Sequence, residues 1–181
     1  MQMTLFCIKT NVIYYSTMII KDSMVLIHPA KLTLLETSCD FFKDVAIPKL
    51  VYEEVIGSRG IHPDAMLISG LVKKNKIKII NVRSKKLIKK ANQFNIQRGE
   101  AECMALYWQE KSKLLATDDD NVRKKSVLLN VNAIGTPAII IKLYKENHID
   151  RKKLEGSIST LRKIGWFSGG LLDKILLEGL K

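Results

Sequence analysis

Short apolar stretches alternate with amphipathic stretches along most of the chain, and this alternation constrains its fold more than any other feature. The short stretches have the length of buried strands, and the longer ones have the spacing of helices that bury one face. Strands are predicted at 18–20, 45–47, 76–82, 113–117 and 131–134. Strands separated by helices pair in parallel and are covered on both faces. The sequence therefore predicts a three-layer α/β/α sandwich with a mainly parallel central sheet.

The predicted helices lie between and after these strands. They cover 30–35, 48–55, 63–72, 85–94, 98–111, 120–129, 136–146, 151–163 and 168–177. Pro48 suits the first turn of its helix, and we expect Gly57 to Gly60 to break that helix.

Length and composition fit a single domain. With 181 residues, 46% apolar and 27% charged, the chain can bury roughly two-thirds of its unfolded surface. Residues 1–17 show no clear periodicity, so we expect them to be an N-terminal extension and residues 18–181 to form the domain. No stretch has the ~20 apolar residues of a membrane-spanning helix, and three scattered cysteines favour a reducing compartment. These features predict a cytoplasmic protein without membrane contact.

The chain is strongly basic. Its 30 Lys and Arg against 18 Asp and Glu give a formal charge of +12. Such a charge attracts polyanions, of which a nucleic-acid backbone is the obvious example. A lysine-rich bias of composition explains the charge as well, so both interpretations stay open.

Acidic residues stand at four places that an α/β fold would bring to one edge of the sheet. Asp22 follows the first strand, and Asp118 and Asp119 follow the strand at 113–117. Glu54 and Glu100 lie in predicted helices. Ligands of open α/β sheets collect beyond the carboxyl ends of the strands, and carboxylates gathered there repel one another unless a cation lies between them. Because hard oxygen ligands select Mg²⁺ or Mn²⁺, the sequence predicts a divalent-metal site.

Each acid also has a structural interpretation when it is taken alone. Asp22, and one of Asp118 and Asp119, could cap the helices that follow them. Glu54 could be a solvated surface residue, and Glu100 could stabilise the first turn of its helix. The occurrence of all four positions in one fold favours a metal site over four unrelated roles.

Other titratable residues are not expected in this site. Glu102 is expected on the opposite side of its helix, at the surface. His28, His62 and His148 are scattered along the chain and give no support to a histidine-based metal site or catalytic triad.

Taken in order, the acidic segments resemble those of the PIN-domain nucleases, and the resemblance covers residues 18 to about 178. Residues 20–27, IKDSMVLI, are similar to the family's opening strand with its first acid. Residues 48–55, PKLVYEEV, are similar to a P-x-x-V-x-x-E helix, and residues 99–106, GEAECMAL, to a G-E-A-E-x-x-A-L helix. Residues 115–119, LATDD, resemble the T-D-D end of the next strand.

The C-terminal half resembles PIN proteins of the VapC toxin branch in two segments, Gly135-Thr136-Pro137 and Gly165-Trp166-Phe167. Two neighbouring residues depart from the family pattern. Pro29 lies where the first helix should begin, and His28 before it is unusual. We expect neither to touch the acids.

The resemblance implies a PIN-like fold and a metal-dependent endoribonuclease that is the toxin of a toxin–antitoxin pair. It implies a homodimer, an antitoxin protein as partner and RNA as substrate. Asp22 with Asp118 or Asp119 would hold the main Mg²⁺ or Mn²⁺ ion, and which aspartate is the main ligand stays open. Glu100 would complete the shell, and Glu54 would bind a second ion or orient the attacking water.

Further residues are expected to support this chemistry. Ser23 and Thr117 are candidates to support the ligands. Arg98, with Lys89 and Lys90, is a candidate for contact with RNA phosphates, although a solvated helix face explains these basic residues equally well.

Two other functions compete with the ribonuclease. The first is a PIN-fold module that binds RNA or protein and has weak or lost catalysis. The second is a phosphoacceptor receiver domain, which shares the α/β sheet and Mg²⁺-binding acids. A receiver needs a pair of acids after its first strand, where Asp22 stands alone.

Overall fold

The computed structural model describes residues 18–59 and 62–181. The predicted N-terminal extension, residues 1–17, lies outside the described residues. The strands are β1 (Ile19–Lys21), β2 (Val45–Pro48), β3 (Lys78–Ile80), β4 (Leu114–Ala116) and β5 (Ala133–Ile134). The helices are α1 (Met24–Lys31), α2 (Leu35–Phe42), α3 (Lys49–Arg59), α4 (Pro63–Lys73), α5 (Lys85–Asn92), α6 (Arg98–Gln109), α7 (Asp120–Leu128), α8 (Thr136–Lys145), α9 (Arg151–Ile164) and α10 (Gly169–Gly179).

The central sheet has the order β3-β2-β1-β4-β5, and all its strand pairs are parallel. Helices flank it, so the predicted α/β architecture is confirmed. The chain builds outward from β1 through β2 to β3, and then places β4 on the other side of β1. This reversal makes the gap between β1 and β4 the switch point of the sheet, where open α/β sheets bind ligands. A receiver domain has the order 2-1-3-4-5, so this topology excludes that function.

The main core lies between the sheet and its helices. It is built from the strand residues together with the inner faces of α1 to α8, including Leu26, Phe42 and Met104. A second cluster joins α8, α9 and α10 to Leu32 and Leu34. The C-terminal helices are therefore packed on the α1 side of the domain. Within the described residues, no helix is long and apolar enough to cross a membrane.

The first helix is the main difference from the sequence prediction. We expected a helix at 30–35, but α1 begins at Met24 and contains Pro29. The similarity of residues 20–27 to a strand was also misleading, because β1 ends at Lys21. The helix begins early because the Asp22 carboxylate accepts a hydrogen bond from the Val25 N–H at 2.9 Å.

The predicted break at Gly57 to Gly60 falls later than its first residue. Helix α3 continues through Gly57 and ends at Arg59. A glycine inside a helix costs about 1 kcal/mol relative to alanine, which the packing of Val51 and Val55 in the main core offsets.

Lys21, the last residue of β1, is completely buried. Its Nζ donates a hydrogen bond to Ser38 Oγ at 2.7 Å and lies 5.5 Å from the centroid of the Phe42 ring. Burial lowers the pKa of Lys21 below its ordinary value. The central strand therefore carries a buried amine directly before Asp22.

Candidate active site

The switch point brings together the residues that follow β1 and β4. The Asp22 N–H donates a hydrogen bond to the Ala116 carbonyl oxygen at 3.0 Å, so Asp22 and Asp118 flank the same gap. Thr117 connects the two sides, because its hydroxyl is hydrogen-bonded to the Asp22 carboxylate and accepts the Asp119 N–H at 3.1 Å. The supporting role expected for Thr117 stays a prediction, which these contacts motivate.

The Asp22 carboxylate is buried and crowded by other acids. Burial is the largest cause that raises its pKa, and the negative charges of Asp118 and Glu100 act in the same direction. Hydrogen bonds from Thr117 and the Val25 N–H lower the pKa, and the net result is a value of about 7. Asp22 thus caps α1 and belongs to the acidic cluster at once, so the two interpretations from the sequence are compatible.

Asp118 is buried and held by three hydrogen bonds. Its Oδ1 accepts the Thr136 N–H at 2.6 Å. Its Oδ2 accepts the Thr136 hydroxyl at 2.6 Å and faces His28 Nδ1 at 2.8 Å. A carboxylate offers about four lone-pair positions, so these contacts leave one position on Oδ1.

His28 contacts this carboxylate, which corrects the expectation that it does not touch the acids. The imidazole is buried, and its ring packs edge-on against Trp166 and Phe167. Within the described part of the chain, Nε2 has no hydrogen-bond partner. An ionised carboxylate only accepts hydrogen bonds, so a bond to the carboxylate form of Asp118 requires the tautomer of His28 with a proton on Nδ1. A histidine inside the apolar run 25–30 was a signal that a buried partner exists, but nothing local identified it.

Pro29 lies inside α1 rather than at its start, and it is buried. The expectation that Pro29 does not touch the acids stays a prediction.

Asp119 has a different environment from Asp118. It is half-buried, and its Oδ1 caps α7 by accepting the Val122 N–H at 2.7 Å. The same residue lines a cleft of about 230 Å³ together with Glu100 and Arg98. The described contacts use one of its lone-pair positions. Asp119 therefore keeps more unused positions on its carboxylate oxygens than Asp118 does.

Glu54 reaches the start of α6 because residue 99 is a glycine. Its carboxylate is hydrogen-bonded to the backbone of Gly99, and a Cβ at that position would lie 2.6 Å from Glu54 Oε2. Partial burial and then the charge of Glu100 raise the pKa of Glu54, while Arg98 opposes them. Glu54 therefore adjoins Glu100, and the neighbouring Glu53 is an exposed partner of Lys49.

The other candidates divide into those near the acids and those away from them. Arg98 is exposed, lines the cleft and has a positive φ of 49° at the start of α6. Ser23 is half-buried beside Asp22, and its side chain does not cap α1. Lys89 and Lys90 are exposed on α5 and do not line this cleft; Lys90 Nζ lies 4.2 Å from the centroid of the Trp108 ring.

Glu102 is half-buried rather than at the surface, which corrects the prediction for this residue. Its carboxylate is hydrogen-bonded to the backbone of Leu50, at the start of α3. Burial raises its pKa. Glu102 therefore helps to join α6 to α3.

The donor chemistry suits a hydrated divalent cation. Among the described residues, no three His, Cys, Asp or Glu side chains lie close enough to form a complete metal shell. The charges of Asp118 and Glu100 nevertheless act on Asp22, and burial leaves Asp22 without the solvation that its charge needs. Mg²⁺ usually keeps several waters and takes only one or two carboxylates from the protein. Asp22 and its acidic neighbours meet that requirement, because they offer carboxylate oxygens whose charge no basic side chain within the described ranges fully balances.

Comparison with models of protein families gives a match over most of the chain. A family model described as PIN domain matches residues 18–178, which run from the start of β1 into α10. A search of curated proteins gave no match.

Proposed function

The chain belongs to the PIN-domain family, and from this membership we propose that it is an endoribonuclease that uses carboxylate-bound Mg²⁺ or Mn²⁺. PIN domains are generally nucleases and generally use divalent metals. The observation that carries the proposal is Asp22, a buried carboxylate at the switch point that is crowded by Asp118 and Glu100. The overall charge of +12 supports a polyanionic substrate.

We assign the following roles to the acids. Asp22 and Asp119 would be the carboxylate ligands of a hydrated cation, and Glu100 and Asp118 would accept hydrogen bonds from its bound waters. A divalent ion held there would activate water and stabilise the charge that develops on the phosphate. Thr117 orients the Asp22 carboxylate, and His28 with Thr136 orients Asp118.

Glu54 and Arg98 act on the substrate side of the site. The Gly99 N–H holds the Glu54 carboxylate at the start of α6, where it can orient a water molecule or bind a second ion. Arg98 is exposed in the cleft that Glu100 and Asp119 also line, and there it would contact a phosphate oxygen. Ser23 is kept as a weaker candidate beside Asp22.

The test is cleavage of a labelled single-stranded RNA with Mg²⁺, with Mn²⁺ and with EDTA. We expect cleavage with either ion and none with EDTA. Asp22→Asn should lose activity by roughly 100-fold or more, because even residues that support metal ligands are worth about 10- to 100-fold. Asp120→Asn is the matched control, since Asp120 is exposed and paired with Arg123 outside the cluster. Undiminished cleavage in EDTA or by Asp22→Asn contradicts the proposed site.

A second candidate function is a PIN-fold module that binds RNA or protein without efficient catalysis. The specific observation that favours it is the hydrogen bonding of Asp118, which uses most of its lone pairs. Under this alternative the wild-type protein binds the RNA and leaves it intact with every divalent ion. Cleavage that is lost in Asp22→Asn excludes the alternative.

We also propose that the nuclease is a cytoplasmic homodimer and the toxin of a toxin–antitoxin pair. The dimer and the toxin role rest on the resemblance of residues 135–137 and 165–167 to the VapC branch, and the location rests on the three scattered cysteines. Co-expression with the product of a small neighbouring reading frame should give a complex that no longer cleaves RNA. Light scattering of the purified protein tests the dimer, and a monomer that resists every such product contradicts both assignments.

A further inference from the structure

Trp166 is a large aromatic residue that stays half exposed, at 52%, beside the acidic edge. Its Nε1–H donates a hydrogen bond to the Asp118 carbonyl oxygen at 3.3 Å. Its ring centroid lies 5.8 Å from that of His28. The indole is thus attached to the backbone of an acidic residue whose own side chain is buried.

The connection between α9 and α10 explains why Trp166 occupies this place. Gly165 ends α9 in the left-handed region, at φ 75°, which favours glycine. Ser168 begins α10 by accepting the Leu171 N–H at 3.4 Å. Only Trp166 and Phe167 lie between these two caps, so the position of the indole is held from both sides.

Phe167 already supplies the apolar packing that this connection needs. It is buried, and its ring centroid lies 5.6 Å from that of His28. A second aromatic ring that remains half in solvent adds less to the core than Phe167 does, because hydrophobic stabilisation scales with the area removed from water. A large exposed aromatic at a site for a charged substrate has the chemistry of a stacking surface.

We propose that Trp166 stacks on a nucleobase of single-stranded RNA next to Asp118, and so contributes to the position of cleavage. This inference deepens the proposed function and rests on it. Proteins that recognise unpaired RNA commonly stack its bases on aromatic side chains. The bond from the indole to Asp118 would place that base next to the reacting phosphate.

The experiment measures the contribution of the base apart from that of the phosphates. An oligouridylate and an abasic ribose–phosphate chain of the same length are titrated into the protein in EDTA, which prevents cleavage. We expect the base-bearing strand to bind roughly 5- to 150-fold more tightly, the range of base–aromatic stacking. In Trp166→Ala this preference should fall by most of that factor, and Trp166→Phe should keep part of it.

Fluorescence gives a second readout. The chain has two tryptophans, so Trp108→Phe leaves Trp166 as the single indole and is also the matched control for substitution of a tryptophan. Oligouridylate should quench this fluorescence, and the abasic chain should not. Equal affinity of the two strands for the wild-type protein, or unchanged Trp166 emission, overturns the inference. So does a Trp166→Ala variant that loses cleavage but keeps the full preference for bases, because the indole would then act only by covering His28.

The inference and the proposed function fail in different ways. Cleavage that needs Asp22, together with binding that ignores the base, upholds the nuclease and removes the stacking role. Base-dependent binding that needs Trp166, in a protein that cuts no RNA with any divalent ion, upholds the stacking contact and removes the nuclease.

Discussion

His28 Nδ1 lies 2.8 Å from Asp118 Oδ2, across 90 residues of sequence, and neither side chain is accessible to solvent beyond a trace. This contact joins α1 to the end of β4, so it couples the stability of the domain to the orientation of an acid in the candidate site.

His28→Ala should therefore affect both folding and activity. It removes a buried ring and leaves Asp118 short of a donor, which should cost roughly 2–4 kcal/mol of unfolding free energy. Cleavage should fall by about 10- to 100-fold, as for other residues that orient metal ligands. His28→Gln keeps an N–H donor and should recover part of both losses. Urea unfolding and initial cleavage rates measure them, and a fully active, stable His28→Ala protein contradicts the coupling.

Substitutions of Asp118 and of Asp119 should differ in their effects on stability and on metal binding. Asp119→Asn should change the melting temperature little, since asparagine caps a helix as well as aspartate, but it should weaken Mn²⁺ binding about 10-fold or more. Asp118→Asn brings an amide against the donors of Thr136 or His28 and should lower stability as well as activity. Thermal melts and calorimetric titration with Mn²⁺ distinguish them. The opposite pattern would make Asp118 the main ligand.

The pKa of Asp22 predicts a stability that depends on pH and on metal. With a pKa of about 7 against an ordinary 3.8, the folded state binds the proton more tightly than the unfolded state. The resulting stabilisation is complete below the ordinary pKa and is lost as the pH rises through about 7. In EDTA, the unfolding free energy should fall by roughly 3 kcal/mol between about pH 5 and about pH 8.

Asp22→Asn should remove most of that fall, because asparagine does not titrate. Mg²⁺ added near the upper end of the range should stabilise the wild-type protein and leave Asp22→Asn unchanged. Urea unfolding at a series of pH values provides the measurement, and a wild-type curve that rises over this range shows that Asp22 is ionised without a cation.

Gly99→Ala should disturb Glu54 with little damage to the fold. The new Cβ would lie 2.6 Å from Glu54 Oε2, so the carboxylate must move away from the start of α6. We expect a loss of cleavage of roughly 10-fold or more and a change in stability within about 1 kcal/mol. Gly70→Ala is the matched control, because a Cβ at Gly70 meets nothing within 4 Å and should stabilise α4 by about 0.5–1 kcal/mol. Full activity of Gly99→Ala would show that cleavage does not depend on the position of the Glu54 carboxylate at the start of α6.

Lys21→Met should be neutral or stabilising when Ser38→Ala accompanies it. The pair replaces a buried amine and its hydroxyl partner by apolar groups, and buried polar pairs are often no better than apolar ones. Lys21→Met alone should have a lower unfolding free energy than the double variant, because the buried Ser38 hydroxyl then loses its hydrogen-bond partner, which lies at 2.7 Å in the wild-type protein. The change in unfolding free energy of both variants tests this. A large loss in the double variant would indicate that the amine supports Asp22 directly.

The sequence predicted the parts of this structure that depend on local patterns. Each strand appears close to its predicted position, and Asp22 and Asp118 lie at strand ends as expected. Helix α1 was misplaced because proline is usually a sign of a helix start, whereas Pro29 is accommodated inside a helix that the Asp22 cap begins earlier.

Local sequence patterns did not predict the long-range contacts of the site. The approach of Glu54 to Gly99 depends on how α3 packs against α6, and the bond between His28 and Asp118 depends on the insertion of β4 beside β1. No spacing within a segment encodes either contact. The metal, the substrate and the catalytic roles stay predictions for the experiments above.

The strand order has a consequence for how the chain is made. Strands β1, β2 and β3 leave the ribosome first, yet β4 completes the other side of β1 and Thr136 secures Asp118 only later. A growing chain that ends before this point has Asp22 and Glu54 but lacks the opposite wall of the site. On the proposed assignment, the acidic site is complete only after more than two-thirds of the chain has been translated, so an unfinished chain would lack the proposed cleavage activity.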